Sequence, residues 1–346
     1  MSCNAGDIVA CPQVQAMLLG YFGSLNGVQT SLGAPLVEFL RSPTNTNGAI
    51  QSVVNPNGSG KYRTLELVYE SRDLVSSVSK SAKNVCEGGA EPCNTSEQYT
   101  IDIEVGHSRT WTIDLDTVAA QCEGDETYFA RQIVNKMDVI TRSMDVDFMA
   151  EAYTLYGKYP SQVAAAVISV ATKNSNSVYI PDFAERVRFE TLNAEQNSQI
   201  ALFGGSLTFQ TYFEQYLGSV PNTTLGIDVA KMIREKGTIA FFDPNAETPA
   251  AGSVLALMPG ALQLITYNKY QGGKFREINS PLLYQGVLFD PRTMLYFDYQ
   301  AKYECEQWNF YLGVADMLVQ APSDLFFSGD RLSRFNGINR YRIVNP

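Results

Sequence analysis

Histidine is almost missing from this sequence, which has a single residue of this type, His107, among 346. Histidine is the commonest metal ligand in proteins and the usual side chain that titrates near neutral pH. Zinc sites of the histidine-rich type are therefore excluded. His107 itself lies in EVGHSRTWTID, where apolar and polar residues roughly alternate, and this pattern predicts a solvated residue on a strand.

Long apolar runs and an excess of basic residues are also lacking. No stretch approaches the ~18 consecutive apolar residues of a membrane-spanning helix, and the start MSCNAGDIVACPQ lacks the basic-then-apolar order of a secretory signal. We therefore expect neither membrane insertion nor export. The net charge of -10 argues against tight binding to nucleic-acid phosphates, because that binding depends on clusters of lysine and arginine.

The short motifs of common enzymes and metal sites are absent. The 6 cysteines form no C-x-x-C pair, which excludes zinc-ribbon and thioredoxin-like sites. Cys86 and Cys93 flank the segment CEGGAEPC, and the sequence is compatible with a local disulfide or with two free thiols. NPNGSGKY departs from a phosphate-binding loop at Asn55 and Tyr62. LFGGSLTF lacks the spacing of a nucleophilic serine, and no histidine is available to activate Ser206.

Paired acidic residues are the remaining candidates for chemistry. Asp114 and Asp116 share one face of a predicted strand, and Asp145 and Asp147 lie on the predicted polar side of a helix. Such pairs could form a glycosidase couple or a Mg²⁺ site. Scattered surface carboxylates are expected in a chain this acidic, so we interpret all four as solvated. We predict no catalytic, cofactor-binding or metal-binding residue, and we expect the protein not to be an enzyme.

The composition, with 45% hydrophobic and 18% charged residues, is typical of a folded, soluble protein. A length of 346 residues suits two or three packed substructures. Residues 1–60 are small, polar and glycine-rich, with two short helical patches. One patch places Val14, Met17, Leu18 and Tyr21 on one helix face, and APLVEFLRS forms the other. We predict an extended arm that gains its burial from neighbours.

Residues 61–117 predict a long two-stranded hairpin. KYRTLELVYESR and EQYTIDIEVGHSRTWTIDL both alternate apolar and polar residues, and the segment with the cysteine pair separates them. A lone two-stranded ribbon is marginally stable in water, and its edges invite pairing with another chain. The hairpin therefore either lies across a neighbouring subunit or packs back onto its own domain, and the residues favour neither.

Residues 118–160 contain the clearest helix, predicted over 125–156. Its apolar residues recur every three or four positions, which places them on one stripe. The stripe consists of Phe129, Ile133, Met137, Ile140, Met144, Phe148, Ala152 and Leu155. A coiled coil is the alternative, but sustained heptads with flanking charge pairs are lacking, so one long helix along a sheet is the preferred interpretation.

Residues 161–265 predict a compact α/β lobe, and residues 266–346 predict strands. In the lobe, QVAAAVISVA, SLTFQTYFEQYLG and IDVAKMIREKG are predicted helices and TIAFF is a strand. SVLALMPGALQLITY is an apolar run broken at Pro259 and Gly260. In the last region two strands flank the turn DPRT, and the apolar positions change parity near Gln307, which requires a bulge or a turn.

This order of elements predicts an α+β fold and resembles the major capsid proteins of tailed bacteriophages, which share the fold of the Hong Kong phage capsid and of encapsulins. KYRTLELVYESR and QYTIDIEVG resemble the two arms of that family's extended loop. GDETYFARQIVNKMDVITRSMDVDFMAEAYTLYG resembles its spine helix, and PSDLFFSGDRLSRFNGINRYRIV resembles a C-terminal stretch of some members. The resemblance covers nearly the whole chain, and it is carried by regions and not by a short motif.

The resemblance implies a domain organisation and a role. It assigns an N-terminal arm to 1–60, the extended loop to 61–117, the spine helix of a peripheral domain to 118–160, an axial domain to 161–265, and C-terminal strands shared by both domains to 266–346. The implied role is a structural subunit that self-assembles into hexamers and pentamers of an icosahedral shell enclosing double-stranded DNA. An acidic wall suits that role, because like charges repel and keep packed duplex mobile.

Partners and alternatives follow from the same resemblance. It implies a virion protein assembled in the host cytoplasm, with scaffolding, portal or decoration proteins as partners and no cofactor. Many relatives begin with a long scaffolding segment that is cut away, whereas this chain enters its arm almost at once. We therefore expect either a separate scaffolding protein or a precursor without such a domain. The alternatives are a tail-tube or decoration protein, or a carboxylate-dependent hydrolase acting through Asp114 or Asp116.

Overall fold

The computed structural model describes residues 11–24, 33–45, 51–54, 63–70, 96–103, 106–114, 125–155, 168–171, 200–206, 238–248, 250–268, 283–304, 307–320 and 337–344. The chain divides into two compact units. Unit 1 comprises Met1–Arg41, Ile103–Asp147 and Leu264–Leu318. Unit 2 comprises Ser42–Asp102, Phe148–Gln263 and Val319–Pro346.

Both helices and strands occur among the described residues, which confirms the predicted α+β class. The helices are α1 (Cys11–Ser24), α2 (Pro35–Arg41) and α3 (Asp125–Leu155), with short 3₁₀ helices at Pro43–Asn45 and Pro244–Glu247. The strands are β1 (Gln51–Val54), β2 (Arg63–Glu70), β3 (Ser96–Ile103), β4 (Gly106–Asp114), β5 (Ile168–Ala171), β6 (Ile200–Gly204), β7 (Thr238–Phe242), β8 (Ser253–Leu257), β9 (Leu262–Tyr267), β10 (Leu283–Asp290), β11 (Leu295–Glu304), β12 (Gln307–Gln320) and β13 (Ile338–Val344).

Helix α3 is the long helix that the apolar stripe predicts. Its 31 residues span about 46 Å at a rise of ~1.5 Å per residue. The stripe residues from Phe129 to Ala152 are all buried, and Leu155 at the end is half-buried. Residues 125–147 belong to unit 1 and residues 148–155 to unit 2. The 3.6-residue period was sufficient to predict this element because burial on one side extends along its length.

The main sheet of unit 1 has the strand order β10-β11-β12-β4, and β9 also pairs with β12. Strands β10, β11, β12 and β4 pair in antiparallel fashion. Asp290 pairs with Leu295 across the predicted DPRT turn, which is confirmed. Glu304 pairs with Gln307, so the change of parity falls between the end of β11 and the start of β12 and not within one strand.

An aromatic cluster forms the centre of unit 1. The ring of Phe310 on β12 stacks on Trp111 of β4, with ring centroids 5.1 Å apart. Phe129 of α3 lies 6.0 Å from the same ring, and Tyr299 of β11 lies 6.3 Å from it. The indole ring of Trp308 is 6.5 Å away. Phe310 therefore joins the long helix to three adjacent strands.

Unit 2 contains a mixed sheet with the order β5-β13-β8-β6-β7. The pairs β13–β5 and β6–β7 are parallel, whereas β8 is antiparallel to β13 and to β6. All positions of the central strands β6 and β8 are buried. The predicted strand TIAFF is β7, and the break at Pro259 and Gly260 separates β8 from β9, as predicted. The predicted helices SLTFQTYFEQYLG and IDVAKMIREKG lie almost wholly outside the described residues.

The buried side chain of Asn45 holds the connection between β8 and β9. Its Nδ2 donates to the carbonyl of Leu262 at 2.9 Å, and its Oδ1 accepts from the amide of Gly260 at 2.9 Å. Gly260 has a φ of 81°, in the left-handed region that favours glycine. One amide side chain thus satisfies two backbone groups at a buried turn, where an unpaired polar group would be costly.

Two predicted elements differ from the structure because strand pairing overrides local sequence preference. QVAAAVISVA is a predicted helix, but its residues Ile168–Ala171 form β5, which pairs in parallel with β13. The second strand of the predicted hairpin is divided into β3 and β4, which lie in different sheets. β3 belongs to a sheet of order β1-β2-β3, whereas β4 pairs with β12 from Gly106 to Asp114.

Candidate assembly elements and charged clusters

Helix α1, in the predicted arm, packs within its own unit. Val14 and Leu18 are buried, which confirms the predicted apolar face. The amide side chain of Gln15 makes two hydrogen bonds to the backbone of Phe289 in β10. Its Nε2 donates to the carbonyl at 3.3 Å, and its Oε1 accepts from the N–H at 2.8 Å. The expectation that the arm gains its burial from neighbours is therefore wrong for α1.

Helix α2 is capped by a carboxylate from α3. The Oδ1 atom of Asp145 accepts hydrogen bonds from the backbone N–H groups of Leu36 at 2.9 Å and Val37 at 3.2 Å. The first N–H groups of a helix lack partners within it, and a negative charge is favoured at that end. Asp145 is 0% exposed, so its interpretation as a solvated acid on the polar side of α3 is wrong.

Asp145 and Asp147 do not place their carboxylates side by side. Residues two apart on a helix point roughly 200° apart, so the two carboxylates face different surroundings. Asp145 turns inward with Thr141, which is buried one helical turn before it. Each of these polar residues follows a stripe residue by one position, Ile140 and Met144 respectively. That spacing is the signal that could have placed Asp145 on the buried side of α3.

Replacing Asp145 with alanine is expected to lower the free energy of unfolding of unit 1 by about 3 kcal/mol, because two buried N–H groups lose a charged acceptor. Urea unfolding followed by tryptophan fluorescence reports this unit, since Trp111 and Trp308 both belong to it. Asn135→Ala, at an exposed position of the same helix, is the control and should change stability little. Equal effects of the two substitutions would contradict the capping role.

A second charged cluster holds the turn between β10 and β11. The guanidinium of Arg292 donates to Asp138 of α3 at 2.7 Å and to Asp290 at 2.8 Å. Its carbon lies 4.7 Å from the ring centroid of Phe22 in α1, which adds a cation–π contact. Asp290 is fully buried. Arg292 therefore ties the turn to both helices, with its positive charge compensated by two carboxylates.

The single histidine lies in a third charged cluster. The Nδ1 atom of His107 is 2.9 Å from Asp316 of β12, and its Nε2 atom is 2.8 Å from Asp147 of α3. The backbone N–H of His107 also donates to Asp316 at 3.1 Å. The prediction of a strand is confirmed, but the prediction of a solvated surface residue is wrong. The side chain is 18% exposed, and both ring nitrogens have carboxylate partners.

No protein-family model and no curated protein sequence matches this chain. Solved structures are similar to it over most of its length. A structure from Mycobacterium phage Che8 is 11% identical, covers 86% of this chain and 93% of its own, and has a TM-score of 0.40. The capsid of Myoviridae phage XM1 is 8% identical, with coverages of 91% and 92% and a TM-score of 0.42. The chain is similar to phage capsid structures.

A phage-related protein from Bordetella bronchiseptica is similar over a still larger part of the chain. It is 9% identical, covers 96% of this chain and 97% of its own, and has a TM-score of 0.46. The coverage thus extends over nearly the whole length of both proteins.

The remaining candidates for chemistry are described in part. Asp114 is exposed at the end of β4, whereas Asp116, Cys86 and Cys93 lie outside the described residues. Ser206 is exposed after β6. In the part of the chain that the structure describes, no group of three or more His, Cys, Asp and Glu residues is placed to hold a metal ion. None of the described helices is long and apolar enough to cross a membrane.

Proposed function

We propose that this protein is the major capsid protein of a tailed bacteriophage and that it self-assembles into hexamers and pentamers of an icosahedral shell around double-stranded DNA. The observation that carries the proposal is the order of elements along the chain. The three-stranded sheet β1-β2-β3 is followed by the 31-residue helix α3, then by the mixed sheet and the antiparallel strands. This is the order of extended loop, spine helix, axial domain and C-terminal strands in the family that the sequence resembles.

The division of the late strands supports the proposed domain assignment. Strands β10 and β11 lie in unit 1 with residues 125–147 of α3, which we assign to the peripheral domain. Strand β13 joins the mixed sheet of unit 2, between β5 and β8, which we assign to the axial domain. A C-terminal region that contributes strands to both sheets fits the proposal that residues 266–346 are shared by both domains.

The use of the carboxylates supports a structural role over an enzymatic one. Asp145 caps α2, Asp138 and Asp290 bind Arg292, and Asp316 binds His107. Asp145, Asp138 and Asp316 each link two elements of the fold, and Asp290 holds the turn that follows β10. We propose that the protein is not an enzyme, that it acts as a homo-oligomer in the virion after assembly in the host cytoplasm, and that it encloses DNA without reading its sequence.

Cryo-electron microscopy of the purified full-length protein tests this function. We expect closed particles or rings of five and six subunits, together with any scaffolding protein that assembly requires. A protein that stays monomeric under all assembly conditions would contradict the proposal. Open tubes would indicate a tail-tube protein, and a turnover that Asp114→Asn abolishes would indicate the hydrolase alternative.

A further inference from the structure

His107 is held between two acceptors. Asp316 lies beside its Nδ1 atom, with both carboxylate oxygens 2.9 Å away, and Asp147 lies beside its Nε2 atom at 2.8 Å. The two acids come from different elements, β12 and α3. Asp316 is nearly buried, with 3% of its side chain exposed, whereas Asp147 is 65% exposed. The imidazole therefore connects the start of β4 to a strand on one side and to the long helix on the other.

The chemistry of the ring decides its charge. A neutral imidazole has one N–H and one lone pair, so it can donate to one carboxylate and must direct the lone pair at the other. Two acceptors at these distances would repel each other. An imidazolium has two N–H groups and can donate to both acids. The second proton lies on the ring and not on either carboxylate, because histidine is ordinarily a stronger base than aspartate.

We infer that His107 is an imidazolium bridge that fastens the start of β4 to β12 and to α3, and that this attachment depends on pH. The backbone at this point is already closely packed. A Cβ atom at Gly106 would overlap the carbonyl group of Val314, so β4 begins in tight contact with β12. The hydrogen bond from the backbone N–H of His107 to Asp316 does not depend on the charge of the ring. The two ring contacts together do, because a neutral imidazole has one N–H and can donate to only one of Asp316 and Asp147.

The surroundings of the ring are consistent with a charged state. The hydrogen bond to Asp316 has the largest influence on the pKa of His107 and raises it above the ordinary value. Burial acts in the opposite direction, and Asp147 adds to the rise. On β4 itself, Arg109 follows two residues later on the same face of the strand and is exposed. Asp316 and Asp147 are the charged groups that act on the pKa of the ring.

The sign of the pH dependence follows from the raised pKa. The folded state binds the proton more tightly than the unfolded state, in which histidine titrates near its ordinary value of 6.5. The contribution of the bridge to stability is therefore complete below that value and is lost as the pH rises through the pKa of the folded state. The window of change begins at the unfolded value and extends to higher pH.

Nitrogen NMR of the ring tests the charge directly. Full-length protein labelled with ¹⁵N-histidine gives the signals of one imidazole, because His107 is the only histidine in the sequence. We expect both ring nitrogens at imidazolium positions at a pH where free histidine is mostly neutral. A ring with one protonated nitrogen at that pH would overturn the inference. The measurement applies equally to subunits in solution and to assembled particles in the solid state.

Two variants test the consequence for the fold. His107→Gln has no ring that can titrate, so it provides the reference profile. Relative to this variant, the equilibrium constant for folding of unit 1 in the wild type should fall at least about threefold from about pH 6 to about pH 9. Asp147→Asn removes the acceptor on α3 and keeps Asp316, so it should retain part of the dependence and lower the pH at which the ring titrates. Identical pH profiles for the wild type and His107→Gln would overturn the inference. If His107→Gln fails to fold, an unchanged pH of ring titration in Asp147→Asn would overturn the inference.

Discussion

Replacing Phe310 with alanine is expected to lower the free energy of unfolding of unit 1 by about 4 kcal/mol, the largest effect of a single substitution that we predict. The ring is almost fully buried and lies within 6.5 Å of four other aromatic rings. Its removal takes apolar surface out of the core and leaves a cavity. The surrounding rings belong to a helix and three strands, so they cannot close the cavity without moving these elements.

Circular dichroism during urea unfolding is the suitable measurement for Phe310→Ala. Tryptophan fluorescence is unsuitable here, because the ring contacts Trp111 and Trp308 and its removal changes both signals directly. Phe310→Leu is the matched control, since it keeps an apolar side chain of intermediate size and should cost about 1.5 kcal/mol. Equal losses in the two variants would show that the cavity is not the cause.

Shortening the segment between β2 and β3 is expected to abolish assembly and leave the folding of unit 1 nearly unchanged. Residues 73–95 precede the start of β3 at Ser96, so replacing them with a short turn preserves both strands. If these residues lie across a neighbouring subunit, as the proposed function requires, their removal eliminates contacts between subunits. Light scattering and electron microscopy measure assembly, and tryptophan fluorescence measures the stability of unit 1, which should change by less than about 1 kcal/mol.

A replacement of equal length separates chemistry from geometry in that experiment. A variant with a Gly/Ser linker in place of residues 73–95 keeps the distance that the chain must cover and removes the side chains. We expect it to fail in assembly as the short variant does. Normal particles from both variants would show that the segment makes no contact that assembly needs, and the proposed role of the extended loop would then be wrong.

The elements predicted correctly have a local physical cause. The stripe from Phe129 to Leu155 has a helical period over its full length, because one side of α3 is buried throughout. The turn at DPRT and the change of parity near Gln307 were predictable, because alternation and turn chemistry act over a few residues. In these cases the pattern of neighbours in sequence is also the pattern of burial.

The errors share a different cause, which is contact between residues distant in sequence. Ile168–Ala171 is a strand because β13 provides a parallel partner, although the alanine-rich sequence QVAAAVISVA favours a helix. The predicted long strand is divided into β3 and β4 because β4 pairs with β12 and β3 pairs elsewhere. No local pattern contains the partner strand, so the division could not be inferred from alternation.

The distinction between local patterns and contacts distant in sequence also applies to the charged residues. The sequence by itself determined the class of the fold, the long helix and the scarcity of chemistry based on histidine, because these depend on composition and on short periodicities. The tertiary structure alone decided that His107 meets Asp316, 209 positions away, and that Asp145 caps a helix 109 positions away. A carboxylate has the same identity in either setting, and its role depends on which donor the fold brings within about 3 Å.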